Sequence, residues 1–251
     1  MSEMLRLGYV PGASPGKWAR VWRERLPEVR LDLVQVEAAA AVAALEGGEI
    51  DAAIARLPVD KARFSAIPLY EEVPVVVVSR DHLLAATEDD ETLSPDDLSG
   101  DVVFLAEDDV LYQHGTTPPG LRPVAYAADG TIDSGALAPR PATTAEAIAW
   151  VATGAGVTIV PMSLARLHHR RDVIYRLLTD GPLAPVGLVW VSDHKTDLIE
   201  ELIGIVRGRT VNSSRGRSAA PLVATKPHRP AATAKGRRSR PAARTQRGRR
   251  P

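Results

Sequence analysis

LRLGYVPGAS, at residues 5 to 14, is the stretch that decides the fold expected for this chain. Apolar residues alternate with other residues from Leu5 to Tyr9, a period typical of a β-strand. The strand ends at the turn pair Pro11–Gly12, and Ser14 stands just before a helical apolar pattern. A strand that leads through such a turn into a helix leaves unpaired backbone N–H groups, which suit a small anionic ligand. The alternative is an ordinary strand–helix loop.

Three predicted strands alternate with two predicted helices over the first part of the chain. In order, they are the strand at Leu5–Tyr9, a helix through Trp18–Leu26, a strand at Val29–Leu33, a helix through Ala38–Leu45 and a strand at Ile50–Arg56. This order with short links predicts a parallel sheet with right-handed crossovers. Ligands of such sheets bind beyond the carboxyl ends of the strands, here Pro11–Ser14, Glu37–Ala38 and Arg56–Leu57.

The chain beyond Arg56 reads as a mixture of strands and helices interrupted by one long loop. The predicted strands are Ala66–Leu69, Val73–Ser79, Val102–Leu105, Gly156–Pro161, Val173–Leu177 and Val186–Ser192. A capping box of Thr143 and Glu146 opens one helix, and another ends near Val206. Prolines and glycines predict a loop over Ala106–Arg140, with a weak strand at Val124–Ala127.

The composition excludes several classes of protein. The 251 residues include no cysteine, so disulfides, thiolate metal sites and cysteine nucleophiles are excluded, which fits a reducing compartment. The N-terminus does not have the pattern of a signal peptide. No apolar run approaches the ~20 residues that a membrane helix needs. We therefore expect a cytoplasmic protein, with association with the nucleoid as an alternative.

The zero net charge conceals two oppositely charged parts. Residues 212–251 hold 12 of the 31 basic residues and no acidic one, so residues 1–211 carry a formal charge of −12. The basic part is rich in alanine, arginine, proline and serine and is expected to be disordered. Such asymmetry indicates an acidic folded domain with an arm that seeks nucleic acid.

Five segments in order resemble the effector-binding domain of LysR-type transcriptional regulators over Met4–Arg207. They are LRLGYVPGAS, LPEVRLDLVQVEA, ALEGGEIDAAIAR, IPLYEEVPVVVVSRDHLLA and EAIAWVATGAGVTIVP. The resemblance implies an α/β fold of two Rossmann-like subdomains around a ligand cleft, as in type 2 periplasmic binding proteins. Family members carry an N-terminal winged helix-turn-helix, and this sequence starts at the effector domain. The family also has a long helix where Ala106–Pro141 reads as loop.

The resemblance also implies how the chain divides. Subdomain I is expected at residues 1–80 plus 190–211, and subdomain II at 81–189. The basic tail is 212–251. The two crossings between the subdomains are expected near Ser79–Asp81 and near Leu188–Ser192.

Small metabolites, often carboxylates, are the ligands of the family. Residue by residue, the resemblance assigns the ligand site to Gly12, Ala13, Ser14, Glu37, Ala38, Arg56, Thr143 and Thr144. Alternative roles are helix capping for Ser14 and both threonines, and a structural salt bridge for Arg56. A carboxylate at Glu37 would repel an anion. Either Glu37 pairs with Arg56, therefore, or the ligand is not a simple anion.

Clustered arginines in the tail predict contact with DNA. QRGRRP at residues 246–251 is close to the Arg-Gly-Arg-Pro core of an AT-hook, which enters the A·T minor groove, and KGRRSRP at 235–241 is a looser version. The alternative is phosphate binding without sequence preference. The predicted nucleic-acid-binding residues are Arg237, Arg238, Arg240, Arg247, Arg249 and Arg250.

The function expected is a small-metabolite-sensing regulatory module that is not an enzyme. No cofactor or metal site is expected, because the adjacent His168–His169 do not face each other on a helix. Alternatives are a cytoplasmic solute-binding protein, an interaction protein with a degenerate cleft, or a dehydratase-like enzyme on the same scaffold.

The resemblance implies a homodimer, or a heterodimer with a related regulator. The first helix and the second strand would form the interface. Trp18 and Trp22 would supply apolar area to it or, alternatively, belong to the core. No membrane partner is expected.

Overall fold

The structure, a computed structural model, describes residues 3–88, 91–112, 116–136 and 138–209. Within these ranges the chain forms nine β-strands and five α-helices. The strands are β1 (Met4–Tyr9), β2 (Arg30–Gln35), β3 (Ala52–Arg56), β4 (Phe64–Glu72), β5 (Pro74–Ser79), β6 (Val103–Phe104), β7 (Val157–Pro161), β8 (Val173–Leu177) and β9 (Ala184–Val191). The helices are α1 (Gly16–Arg25), α2 (Ala41–Glu46), α3 (Thr144–Val151), α4 (Met162–Leu167) and α5 (Asp197–Val206). The predictions for the tail at 212–251, its disorder and its DNA-binding arginines, lie outside the described residues.

The first sheet has five strands in the order β2-β1-β3-β9-β4. Strand β1 pairs in parallel with both β2 and β3, as the β-α-β-α-β order of the sequence predicts. Strand β9 returns antiparallel between β3 and β4. We call this sheet with α1, α2 and α5 the first lobe.

The second sheet has four strands in the order β6-β7-β5-β8. Strand β5 lies antiparallel to both of its neighbours, and all six of its residues are buried. Helices α3 and α4 pack against β5 and β7. We call this sheet with α3 and α4 the second lobe, and the two sheets confirm the predicted α/β fold.

Two strands join different sheets from those that the predicted boundaries imply. Strand β5 lies within residues 1–80 but belongs to the second sheet, and most of β9 lies within 81–189 but belongs to the first. The chain therefore crosses between the lobes at Val73 and again between Leu177 and Ala184. The pattern of an apolar strand reports burial and not its pairing partner, so it could not assign either strand to a sheet.

The two tryptophans of α1 belong to the core of the first lobe. Trp22 is fully buried and Trp18 nearly so, and both pack with α5 and the five-stranded sheet. The indole Nε1 of Trp22 donates to the Val29 carbonyl at 3.0 Å. The suggestion that these rings supply apolar area to a dimer interface is therefore wrong, because their surface is already used inside the lobe.

The long segment between β6 and α3 has neither a helix nor an extended strand in its described residues. The weak strand predicted at Val124–Ala127 is a single antiparallel bridge between Tyr126 and Ile132. Gly120 has a φ of +84°, and a Cβ there would lie 2.7 Å from the Leu98 carbonyl oxygen. The segment is thus held against the second lobe at a position that only glycine fits.

Candidate functional site

The loop after β1 meets the start of α4, so the two lobes touch at the predicted ligand turn. Gly12 has a φ of +85°, and a Cβ at this position would overlap the hydroxyl of Ser163. The backbone of one lobe therefore approaches a side chain of the other with no room for a substituent. This close approach brings the carboxyl end of β1 next to a residue that lies far along the chain.

A buried ion pair lies beside this contact. A guanidinium nitrogen of Arg56, Nη1, lies 3.1 Å from Oε2 of Glu72, and the two side chains are only 11% and 8% exposed. The Ser163 hydroxyl donates to the same Glu72 oxygen at 2.5 Å. The ends of β3 and β4 are thereby connected to the start of α4, in the other lobe.

The guanidinium of Arg56 is incompletely satisfied. Nη1 and Nη2 are buried and have no hydrogen-bond partner among the described residues, because the approach to Glu72 does not have hydrogen-bond geometry. Buried donors are nearly always paired in native proteins, and an exception calls for an explanation. A ligand that accepts these hydrogens is one explanation that the surroundings allow.

Tyr70 stands next to the ion pair. Arg56 and Tyr70 both pair with Val186 of β9, so their side chains leave the sheet on the same face. Burial raises the pKa of the Tyr70 hydroxyl, and the Glu72 carboxylate raises this pKa further while Arg56 opposes it. Tyr70 is therefore a neutral hydrogen-bond donor at physiological pH.

A cavity of about 670 Å³, a size typical of small-molecule sites, opens beside Tyr70, Glu72 and Ser163, which line it. Arg56 does not line the cavity and adjoins it through Glu72. The cavity lies between the start of α1, strand β4, the start of α4 and the end of α5. Its apolar wall includes Trp18, Leu69, Met162 and Val206. Its polar lining includes Ser14, Lys17, Glu71, Glu72, Ser163, Arg166 and Arg207.

Helix α1 begins at this cavity without a side-chain cap. Its N-cap residue is Pro15, which provides no capping side chain. The backbone N–H groups of Gly16 and Lys17 have no partner among the described residues. Free N–H groups at a helix start and the positive end of the helix dipole favour an anion.

The predicted residues of the first lobe fall into two groups. Gly12 and Ser14 line the cavity, and Arg56 adjoins it through Glu72. Glu37 is exposed, and its backbone carbonyl accepts the N–H groups that begin α2. The suggested pairing of Glu37 with Arg56 is wrong, since the carboxylate beside Arg56 is that of Glu72. Glu37 does not line the cavity, so its charge does not exclude an anionic ligand there.

Three further predicted residues lie away from the cavity wall. Ala13 and Ala38 pack against the apolar core of the first lobe. Thr143 caps α3 by accepting the Glu146 N–H at 3.2 Å, which was its alternative role.

Thr144 is a fourth predicted ligand residue that lies away from the cavity wall. It is buried, and its hydroxyl donates to Oδ1 of Asp108 at 2.8 Å. Its side chain is thus engaged within the second lobe, at the start of α3. The role of these four residues in ligand binding stays a prediction.

Sequence reasoning missed the residues that complete the site, chiefly Tyr70, Glu72 and Ser163. The one available signal was YEE at residues 70–72, a polar cluster immediately before an apolar strand. Ser163 gave no signal, because it lies 91 residues from Glu72 in sequence.

Among the described residues, no three side chains of the histidine, aspartate or glutamate type come together as metal ligands. No described helix has the length and apolar character needed to cross a membrane.

The fold and the cavity define a two-lobed α/β ligand-binding domain. The chain belongs to the LysR substrate binding domain family, whose model matches residues 2–210. In sequence it is similar to two proteins named "Probable hydrogen peroxide-inducible genes activator". The Mycobacterium avium protein is 27% identical over 219 residues, which cover 83% of this chain and 66% of the relative. The Mycobacterium xenopi protein is 36% identical over 84 residues, which cover 32% of this chain and 44% of the relative. The chain thus spans less than two thirds of the length of either relative.

Solved structures of the same family have the same fold. The BenM effector binding domain with its effector benzoate superimposes with a TM-score of 0.63 at 20% identity, covering 83% of this chain and 92% of that one. The oxidized form of OxyR gives a TM-score of 0.60 at 24% identity, covering 83% and 96%. At these identities the similarity shows the fold alone.

Proposed function

We propose that this chain is the effector-sensing part of a LysR-type transcriptional regulator and binds a small metabolite with an anionic group in the 670 Å³ cavity. The observation that carries the proposal is the buried Arg56, whose Nη1 and Nη2 have no hydrogen-bond partner among the described residues. Because Arg56 adjoins the cavity through Glu72, a ligand carboxylate would complete the hydrogen bonds of Arg56 by displacing the Glu72 side chain.

The charges around the cavity favour an anion. Three cationic side chains line it, those of Lys17, Arg166 and Arg207, against the carboxylates of Glu71 and Glu72. With Arg56 behind Glu72, the positive charges outnumber the negative ones by four to two. This local excess is found in a folded part that is otherwise strongly acidic, so it creates a favourable potential at one place.

A small organic effector agrees better with this chain than thiol-based sensing of peroxide. Two similar proteins are named as activators of hydrogen-peroxide-inducible genes, but these 251 residues contain no cysteine. Thiol oxidation within the chain is therefore chemically excluded. The carboxylate benzoate, bound in the BenM domain, exemplifies the ligand class that we propose.

The proposal includes DNA and protein partners. Residues 212–251 would contact DNA without sequence preference, because they hold 12 basic residues and no acidic one. For about six phosphate contacts, log affinity should fall against log salt with a slope of about −5, and a chain ending at Val211 should lose DNA binding. A cytoplasmic homodimer, or a heterodimer with a related regulator, would use the exposed edge of β2 and the outer face of α1.

Thermal shift with a library of small carboxylates tests the effector site. At 100 times its dissociation constant, an effector should stabilise the fold by about 2.7 kcal/mol. The double variant, in which Arg56 and Glu72 are both changed to methionine, leaves neither charge unpaired in the core. This double variant should show no thermal shift with the effector.

Arg30→Met is the matched control, since Arg30 pairs with Asp32 at the exposed edge of the same sheet. A shift that survives both the double replacement and Ser14→Ala would refute the assigned cavity. No shift with any carboxylate would favour an interaction protein with a degenerate cleft, and turnover of a library member would favour an enzyme.

A further inference from the structure

We infer that the second lobe contains another small-molecule site, which takes a compact ring-bearing carboxylate. The site is a cavity of about 490 Å³ between the end of β6 and the long segment that precedes α3. All of its lining residues lie between Val103 and Pro141. Among the described residues, none of the first lobe contributes to it, so this inference goes beyond the proposed effector site and does not depend on it.

The wall of this cavity is apolar and stiff. Val103 and Leu105 form one side, and the Tyr112 ring adjoins them. Four prolines complete the wall: Pro118, Pro123, Pro139 and Pro141. Because the pyrrolidine ring fixes φ, proline-rich walls lose little conformational entropy when a ligand binds. The surface therefore suits a flat apolar ring.

Two guanidinium groups lie at the same cavity without a carboxylate partner. Arg122 and Arg140 both line it, and among the described residues no carboxylate lies within ion-pair distance of either. Arg140 is fixed by its own hydrogen bonds, since Nε donates to the Leu105 carbonyl at 3.0 Å and Nη2 to the Ala106 carbonyl at 2.7 Å. Carbonyl partners orient the group without an ion pair, and its charge acts on the Asp109 carboxylate as well as on an anion in the cavity.

Asp109, the acid on which the charge of Arg140 acts, is already engaged. Its two carboxylate oxygens accept the backbone N–H groups of Leu111 and Tyr112 at 3.1 and 2.8 Å. These bonds hold the Tyr112 ring at the cavity. Burial, with Asp109 nearby, raises the pKa of Tyr112 to about 12, so its hydroxyl remains a neutral donor. The cavity thus offers two cations, the Tyr112 hydroxyl and the hydroxyls of Thr116 and Thr117 on an otherwise apolar wall.

A titration of the full chain with phenylacetate, followed by ¹H–¹⁵N correlation spectra, tests the inference. We expect saturable shifts of the Leu105, Tyr112 and Arg122 amide signals at phenylacetate concentrations up to about 10 mM. The neutral isostere phenylacetamide should bind about fivefold more weakly, since it lacks the charge that the arginines attract.

Two variants localise the binding. Arg122→Gln should raise the apparent Kd about fivefold by removing an exposed charge, and Ala138→Trp should abolish binding by filling the cavity. Arg207→Gln, at the other cavity, should leave these shifts unchanged. Shifts confined to Gly12 and Ser163 would overturn the inference and leave the proposed effector site standing. The absence of saturable shifts at Leu105, Tyr112 and Arg122, or a Kd unchanged in Arg122→Gln, would also overturn it.

Discussion

Arg56, in the first lobe, and Arg140, in the second, are held by different kinds of partner. Arg56 leaves the end of a regular strand, is buried, and faces the carboxylate of Glu72. Arg140 belongs to an irregular segment, and backbone carbonyls of Leu105 and Ala106 hold it. The difference teaches that a sheet fixes a charge by opposing it with another charge. A loop can fix it with backbone groups and without an ion pair.

Removing one member of the buried pair gives the largest expected effect. Glu72→Ala leaves the Arg56 charge buried without its partner, so the free energy of unfolding should fall by about 3–5 kcal/mol. The double variant, in which Arg56 and Glu72 are both changed to methionine, should recover most of this lost free energy of unfolding. Urea denaturation of the single and double variants measures both. Equal losses in the two variants would mean that the lost packing, and not the unpaired charge, sets the cost.

Gly120→Ala tests how firmly the irregular segment is held. A Cβ there would meet the carbonyl oxygens of Leu98 and Asp101 at 2.7 and 2.8 Å, and backbone cannot move aside easily. We expect a loss of about 2–4 kcal/mol, because overpacking adds to the strain of a positive φ.

Gly130→Ala is the control for this effect. Gly130 has a nearly identical φ of +83° but open space around it. It should therefore show only the strain of the backbone, about 1 kcal/mol. If the two variants lose the same stability, the segment does not depend on the close approach at Gly120.

Gly12→Ala is the corresponding test at the contact between the lobes. Its Cβ would overlap the Ser163 hydroxyl, which is a side chain and can rotate away, so the expected loss is smaller, about 1–3 kcal/mol. The rotation would also withdraw the Ser163 hydrogen bond from Glu72. Gly16→Ala, at a helical position with nothing within 4 Å, should be neutral or stabilise by about 0.4–1 kcal/mol. Chemical denaturation of both variants measures the contrast.

The sequence predicts the regular parts of this molecule and misses what depends on tertiary approach. The alternation around Leu5–Tyr9 and the strand-end rule locate Gly12, Ser14 and Arg56, because local periodicity determines which face and which end a residue occupies. The roles of Glu72 and Ser163 in the site could not be predicted from sequence, because the two residues come together only when the lobes meet. The sheet membership of β5 could not be predicted for a related reason: a buried strand is apolar on both faces whichever sheet it joins.

The arginines of the second cavity could not be located from sequence either. Arg122 and Arg140 lie in a segment whose prolines and glycines predict only the absence of regular structure. Backbone hydrogen bonds such as those of Arg140 leave no periodic pattern in a sequence. A loop can therefore contain a defined site that no periodic pattern in the sequence predicts.

An effect of about 1.4 kcal/mol, seen only at high pH, compares the two tyrosines of the two cavities. Burial raises the pKa of Tyr112 to about 12, and the pKa of Tyr70 is also raised, by burial and by the Glu72 carboxylate. The ordinary tyrosine pKa in the unfolded chain is about 10. At a pH between the pKa of the unfolded chain and the higher pKa of the folded tyrosine, the folded state keeps a proton that the unfolded state has lost. Stability therefore falls as the pH rises through this window.

For Tyr112 this linkage should cost about 1.4 kcal/mol at pH 11, relative to pH 8. Tyr112→Phe should remove that part of the pH dependence, and Tyr70→Phe should remove a smaller part. Urea denaturation of the three proteins at pH 8 and pH 11 measures it. The background loss from other groups is common to all three and cancels in the comparison. If Tyr112→Phe loses as much stability as the unchanged protein between these pH values, Tyr112 ionises as freely in the folded state as in the unfolded one. Its hydroxyl would then lie in water rather than against the proline-lined wall.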